Sequence, residues 1–204
     1  MTNILIGSQC TFYGESFKIY LAELIYESQR EFVEYHSGFT QKNVNQADVI
    51  VIDLVCGEAS FCIPELKWRK PGVLIGILED KNQHSLPEAS LPHCLNDVVY
   101  LYRNDSLEDL RFKILRAFDN QNNTENCQLE PDCILCNRVS LTLPQRKFAS
   151  LWLQGQDTIA VAGSVNLNLK TVYSKKYALM KKYGLQTDQQ LHSFINLLKT
   201  KSDR

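Results

Sequence analysis

Lys170, Ser174, Tyr177 and Lys181 follow one another at intervals of three and four residues, with Tyr173 three after Lys170 and four before Tyr177, the spacing that gathers side chains on one face of an α-helix. Amines reach phosphates, and hydroxyls and phenols donate to or accept from base edges, so such a face has the chemistry of a major-groove reader. Thr171, Lys175, Lys176 and Lys182 flank it, and the lysine stems are long enough to lie along the protein while their heads reach a DNA backbone. Val172, Leu179 and Tyr183, with Met180 on the margin, form the opposite stripe and give the helix a side to bury. Asn168 suits the N-cap and Gly184 stands where a left-handed C-terminal residue is wanted, which sets the helix at roughly 168–183.

A lysine-rich wet face is by itself ordinary, and the distribution of charge adds what periodicity lacks. From Val139 onward the chain holds ten Lys and Arg against three Asp, a net +7, while the remainder holds twelve bases and twenty acids. A near-neutral whole therefore hides a basic C-terminal third, the pattern expected when only that third meets phosphate.

Other reactive residue types are less organised. Cys127, Cys133 and Cys136 lie close in sequence, but zinc wants four ligands and no fourth stands near them, so no metal site is expected and they read as incidental linker thiols. An odd total of seven cysteines at irregular spacing does not make a disulfide frame. His36, His84, His93 and His192 are scattered with no nucleophile motif nearby, so no catalytic residues, no cofactor and no enzyme activity are expected. There is no apolar run near the ~20 residues that cross a bilayer. Asn3–Ser8 opens the chain as a strand with no basic region before it, which argues against a signal peptide and for a cytoplasmic protein.

The elements that position these groups alternate. Apolar runs at Asn3–Ser8, Val49–Asp53, Val73–Leu78 and Val98–Tyr102 read as buried strands, with a shorter one at Glu31–Tyr35. Helical stripes run through Phe17, Tyr20, Leu21, Leu24 and Ile25, and through Leu107, Leu110, Ile114, Leu115 and Phe118. Strands alternating with helical segments predict a five-stranded parallel α/β domain over 1–118. Residues 119–138 are polar and aperiodic, a linker that lets two domains move. From 139 to 204 four helices are expected: one opened by Thr142 and Pro144 with Phe148, Leu151 and Trp152 inward, a short one at Thr158–Ser164, the cationic one, and Asp188–Lys199 with Leu191, Phe194, Ile195 and Leu198 inward.

The segment Leu141–Leu191 resembles the helix-turn-helix domain of LuxR/NarL/FixJ-type regulators, matching at Leu141-Thr142, Leu151, Gly155, Ala162, Lys170-Thr171-Val172, Met180, Lys182, Gly184 and Leu191. It departs at Pro144-Gln145, Asn168 and Lys175, where the family usually has Arg-Glu, Ser and His. Within that family, KTVYSKKYALMKKYG is most similar to regulators of the Rcs phosphorelay, and LWLQGQDTI to their auxiliary RcsA- and BglJ-type partners. The resemblance implies a DNA-binding transcriptional regulator whose partners are double-stranded DNA and a second regulator copy, either the same chain or an RcsB-like one. In the family the last helix commonly carries the dimer contact.

Residues 1–118 likewise resemble a flavodoxin-like receiver domain, in which aspartyl phosphorylation uses a metal-binding acid pair, an acceptor Asp, a Thr or Ser, and a Lys at successive strand ends. On that alignment the acid pair is Ser8-Gln9, the Thr position is Glu79 and the Lys position is Arg103, and only the acceptor Asp53 survives. A carboxylate lacking its metal pair, with Glu79 adding like charge, is a poor phosphoryl acceptor. The expectation is a pseudo-receiver serving as a contact surface, with Asp53 a vestigial carboxylate partnered by Arg103.

Overall fold

The computed structural model describes residues 1–7, 11–79, 92–123, 136 and 141–202. Five strands, β1 (Thr2–Gly7), β2 (Val33–His36), β3 (Val49–Asp53), β4 (Val73–Leu78) and β5 (Val99–Tyr102), form one sheet in the order β2-β1-β3-β4-β5. Every pairing is parallel, with Ile4 opposite Val49, Val51 opposite Ile75 and Ile75 opposite Val99. All five residues of β3 and all six of β4 are buried, as central strands covered on both faces must be.

Alternation along each strand sorts the core into two layers. Ile4, Val49, Val51, Ile75 and Ile77 face helices α1 (Thr11–Gln29) and α3 (Leu107–Asn123), meeting Phe17, Leu21, Ile25, Ile114 and Phe118. Leu5, Ile50, Ile52 and Leu74 face the other way, toward Val44 of the short helix α2 (Gln41–Gln46), Ile63, and Ala59, Leu66, Cys94 and Leu95 of three 3-10 turns, Glu58–Ser60, Pro64–Trp68 and His93–Leu95.

Two sequence expectations shift here. α3 does not stop at Phe118 but continues to Asn123, because no Gly or Pro interrupts the chain after Leu107 until Pro131. Leu107, read as inward, is 68% exposed because it sits at the helix start, before the stripe has turned toward the sheet. Most of the expected linker lies outside the described residues.

The C-terminal part consists of α4 (Leu143–Leu153), α5 (Thr158–Ser164), α6 (Leu169–Lys182) and α7 (Asp188–Ser202). Thr142 and Gln145 form a reciprocal capping box that starts α4, with Pro144 in the first turn where its missing N–H costs nothing. Phe148, Val161, Ala162 and Val172 make a small core among α4, α5 and α6.

A larger cluster joins the two parts: Cys56 and Phe61, from the segment after β3, pack with Leu179, Tyr183, Leu191, Phe194 and Ile195. The Phe61 ring lies 5.7 Å from Tyr183 and 5.4 Å from Phe194. Gly57 is needed at this seam, with φ +85°, and a Cβ there would stand 2.9 Å from the Phe194 ring. Where the sequence suggested independently moving domains, the structure docks one on the other through buried aromatics.

Candidate nucleic-acid interface

The cationic helix is built as its residues dictate. The Asn168 side chain accepts a hydrogen bond from the Lys170 amide at 2.9 Å, and Gly184 takes φ +67° after the last turn. α5 starts on Asp157, whose carboxylate accepts from the Ala160 amide at 2.7 Å. Between α5 and α6 the chain turns through Asn166 at φ +52°, a left-handed position that Asn tolerates, and the Leu167 amide closes the turn on the Ala162 carbonyl at 3.1 Å. A short helix, a tight turn and a longer capped helix are thereby fixed in a helix-turn-helix.

Val172, Leu179 and Met180 face inward, as expected. Lys170, Thr171, Tyr173, Ser174, Lys175, Tyr177, Lys181 and Lys182 are exposed, Tyr173 by 40% and Tyr177 by 61%. The Tyr173 and Tyr177 rings stack on the outer face with centroids 6.3 Å apart and planes 19° from parallel. Docking of the two domains buries Tyr183 but leaves this face wet. Lys181 and Lys182 in the last turn complement the helix dipole, whereas Lys170 sits in the first turn, where a cation opposes it. That cation does not help hold the helix together; it stands exposed at the helix start.

Lys176 is a correction. It is 8% exposed, not a wet flank, and its ammonium sits 2.7 Å from the carboxylate of Asp188 at the start of α7. Position 176 lies four residues after Val172 and four before Met180, on the same buried stripe. Its stem packs and its head ties α6 to α7, so it is not available to a phosphate.

In the sheet domain, Asp53 closes β3 at the carboxyl edge of the sheet and is 8% exposed. Arg103, just past β5, donates from one guanidinium nitrogen to both of its carboxylate oxygens at 2.8 Å. The guanidinium also lies 4.7 Å from the centre of the Tyr13 ring, and burial pushes the Tyr13 phenol up, with Arg103 acting against it. Ser8 and Gln9 lie outside the described residues, and Glu79 is exposed at the end of β4. The Asp53 carboxylate is thus engaged by an arginine. Acetyl phosphate with Mg²⁺ is expected to leave the intact mass of the protein unchanged; a gain of one phosphoryl group, lost in Asp53→Ala, would show the pair to be no barrier.

No protein-family profile matches the chain, and no curated protein matches it. Solved structures do. An RcsB from Salmonella enterica serovar Typhimurium, bound to the promoter P1flhDC in the presence of the phosphomimetic BeF3−, is 18% identical, with a TM-score of 0.58 over 95% of this chain and 97% of that one. The structure of two RcsB dimers bound to two parallel DNAs is 16% identical with a TM-score of 0.53, covering 96% and 98%. An RcsB two-component response regulator in complex with DNA matches at 17% and 0.51 over the same shares. This chain has their fold. The five-stranded parallel sheet and the helical C-terminal part both take part, since the likeness spans nearly the whole length.

Sequence reasoning did not find the seam residues Cys56, Gly57 and Phe61, nor the meeting of Cys62, Cys94 and Cys136 on the second face of the sheet. Among the described residues, no helix is long and apolar enough to cross a membrane.

Proposed function

We propose that the protein is a DNA-binding transcriptional regulator whose helix α6 enters the major groove. The observation that carries this reading is the exposed face of Lys170, Tyr173, Ser174, Tyr177 and Lys181 on a capped helix that follows a tight helix-turn-helix turn. Lys170, Tyr173, Ser174 and Tyr177 are the base readers; Thr171, Lys175, Lys181 and Lys182 hold phosphate. The likeness in fold to RcsB structures bound to DNA supports the reading.

One such module buries too little surface to be specific alone, so two copies on adjacent half-sites are required. The second copy is another molecule of this chain or an RcsB-like regulator. Phe12, Ile19 and Tyr26, seven residues apart along α1 and 85%, 63% and 46% exposed, offer the first domain an apolar stripe for such pairing. With Asp53 held by Arg103, pairing and DNA binding proceed without phosphorylation.

Lys182→Ala is expected to weaken binding about equally on every DNA sequence and to reduce the salt slope by about one unit, because one phosphate contact is lost. Lys176→Met should leave the slope unchanged, since that amine already belongs to Asp188. Fluorescence anisotropy on one selected and one random duplex, across a salt series, reads both. Failure of the wild type to bind any duplex, alone or with an RcsB-like regulator, overturns the proposal.

A further inference from the structure

Three cysteines from three separate stretches of chain meet on the second face of the sheet. Cys62 lies between the 3-10 turns Glu58–Ser60 and Pro64–Trp68, Cys94 is in the turn His93–Leu95, and Cys136 comes from the segment leading to α4. Their sulfur atoms all lie within 4.8 Å of one another, and Cys94 Sγ is 4.0 Å from Cys62 Sγ. Three sulfurs placed around an ion at a thiolate bond length of about 2.3 Å would stand roughly 4 Å apart in a trigonal plane. The observed spacing is therefore a small contraction away from closing on a metal.

The surroundings suit such an ion. Cys94 is fully buried and Cys136 6% exposed, whereas Cys62 is only half-buried, which leaves one side of the trio open for entry. The amide of Ile63 donates to Cys94 Sγ at 3.4 Å, an arrangement that supports negative charge on sulfur. Ile63, Leu66, Leu95 and Tyr100 line the same cluster and keep it apolar. Thiolates in such a setting select soft cations over magnesium or calcium.

We propose that Cys62, Cys94 and Cys136 form a three-thiolate binding site for a soft metal ion, copper(I) or zinc(II). Copper(I) is satisfied by three sulfurs in a plane; zinc(II) takes the same three and completes four-coordination with a ligand from solvent through the open side. Binding forms three metal–sulfur bonds and releases the thiol protons to solvent, with no change in oxidation state. Once filled, the site fastens Cys136, and with it the chain just before the helix-turn-helix, to the sheet.

The test uses the full chain, reduced and kept anaerobic, titrated with copper(I) against bathocuproine disulfonate and separately with zinc(II) against 4-(2-pyridylazo)resorcinol. One equivalent of at least one ion is expected to resist the chelator, with X-ray absorption showing three sulfur neighbours. Affinity should fall at least tenfold in Cys62→Ser and in Cys136→Ser, both checked for retained folding by circular dichroism, and stay unchanged in Cys56→Ser. Chelator-resistant binding of neither ion, fewer than three sulfur neighbours in the wild type, or wild-type affinity in either Cys62→Ser or Cys136→Ser would overturn the proposal.

Discussion

Phe194→Ala is expected to lower the stability of the chain by about 3–5 kcal/mol, the range for deleting a fully buried aromatic whose neighbours relax only partly. The ring is 0% exposed, lies 4.6 Å from Tyr183 and 5.4 Å from Phe61, and rests against Gly57. Its loss opens a cavity at the only place where the aromatic rings of both domains meet among the described residues. Phe61→Ala removes the contact from the other side and leaves the core of α4–α7 otherwise intact. The two tryptophans separate these effects, because Trp68 belongs to the sheet domain and Trp152 to the helical one. In denaturant titrations of Trp68→Phe and Trp152→Phe forms, the two fluorescence transitions should coincide in an otherwise unchanged background and come apart once Phe61 is Ala. Transitions already separate without that change would show that the seam couples nothing.

This seam was not legible in the sequence, and the reason is physical. Phe61 and Phe194 are each plausible members of their own domain's core, and no periodicity relates positions so far apart in the chain. The apolar stripe of α7 marks Leu191, Phe194 and Ile195 as buried, which they are, but carries no sign of what covers Phe194. The same limit hid the cysteine trio, since spacing within a sequence finds only ligands that are neighbours in it, and Cys62 and Cys94 reach Cys136 through the fold. Elements with strong patterns came through unchanged: β3 and β4 coincide with the apolar runs VIVID and VLIGIL, and α5 with Thr158–Ser164. α2, QKNVNQ, has one buried apolar residue, Val44, and so presents no stripe to detect. Lys176 shows where pattern misleads: an amine is counted as wet by type, yet a four-carbon stem on the Val172–Met180 side packs inward when an acid such as Asp188 meets its head.

Changing the tyrosine pair on α6 should alter which sequence is bound more than how tightly DNA is bound in general. Tyr173 is less exposed than Tyr177 and stacked beneath it, so Tyr177 holds the Tyr173 phenol in place as well as presenting its own. Tyr173→Ala or Ser174→Ala removes a group suited to a base edge without removing a positive charge. Discrimination between the selected sequence and its single-base variants is expected to fall by about 1–3 kcal/mol, with the salt slope unchanged. Tyr173→Phe keeps the stacked ring and loses only the hydroxyl, so it isolates the hydrogen bond from the platform. Selection of bound sequences from a random duplex pool, repeated for each variant, gives the outcome directly: a changed preferred base at one position in each half-site that this chain occupies. If the variants keep the wild-type preference and lose affinity on every duplex alike, these side chains clamp the backbone as the lysines do, and sequence is read elsewhere on the protein.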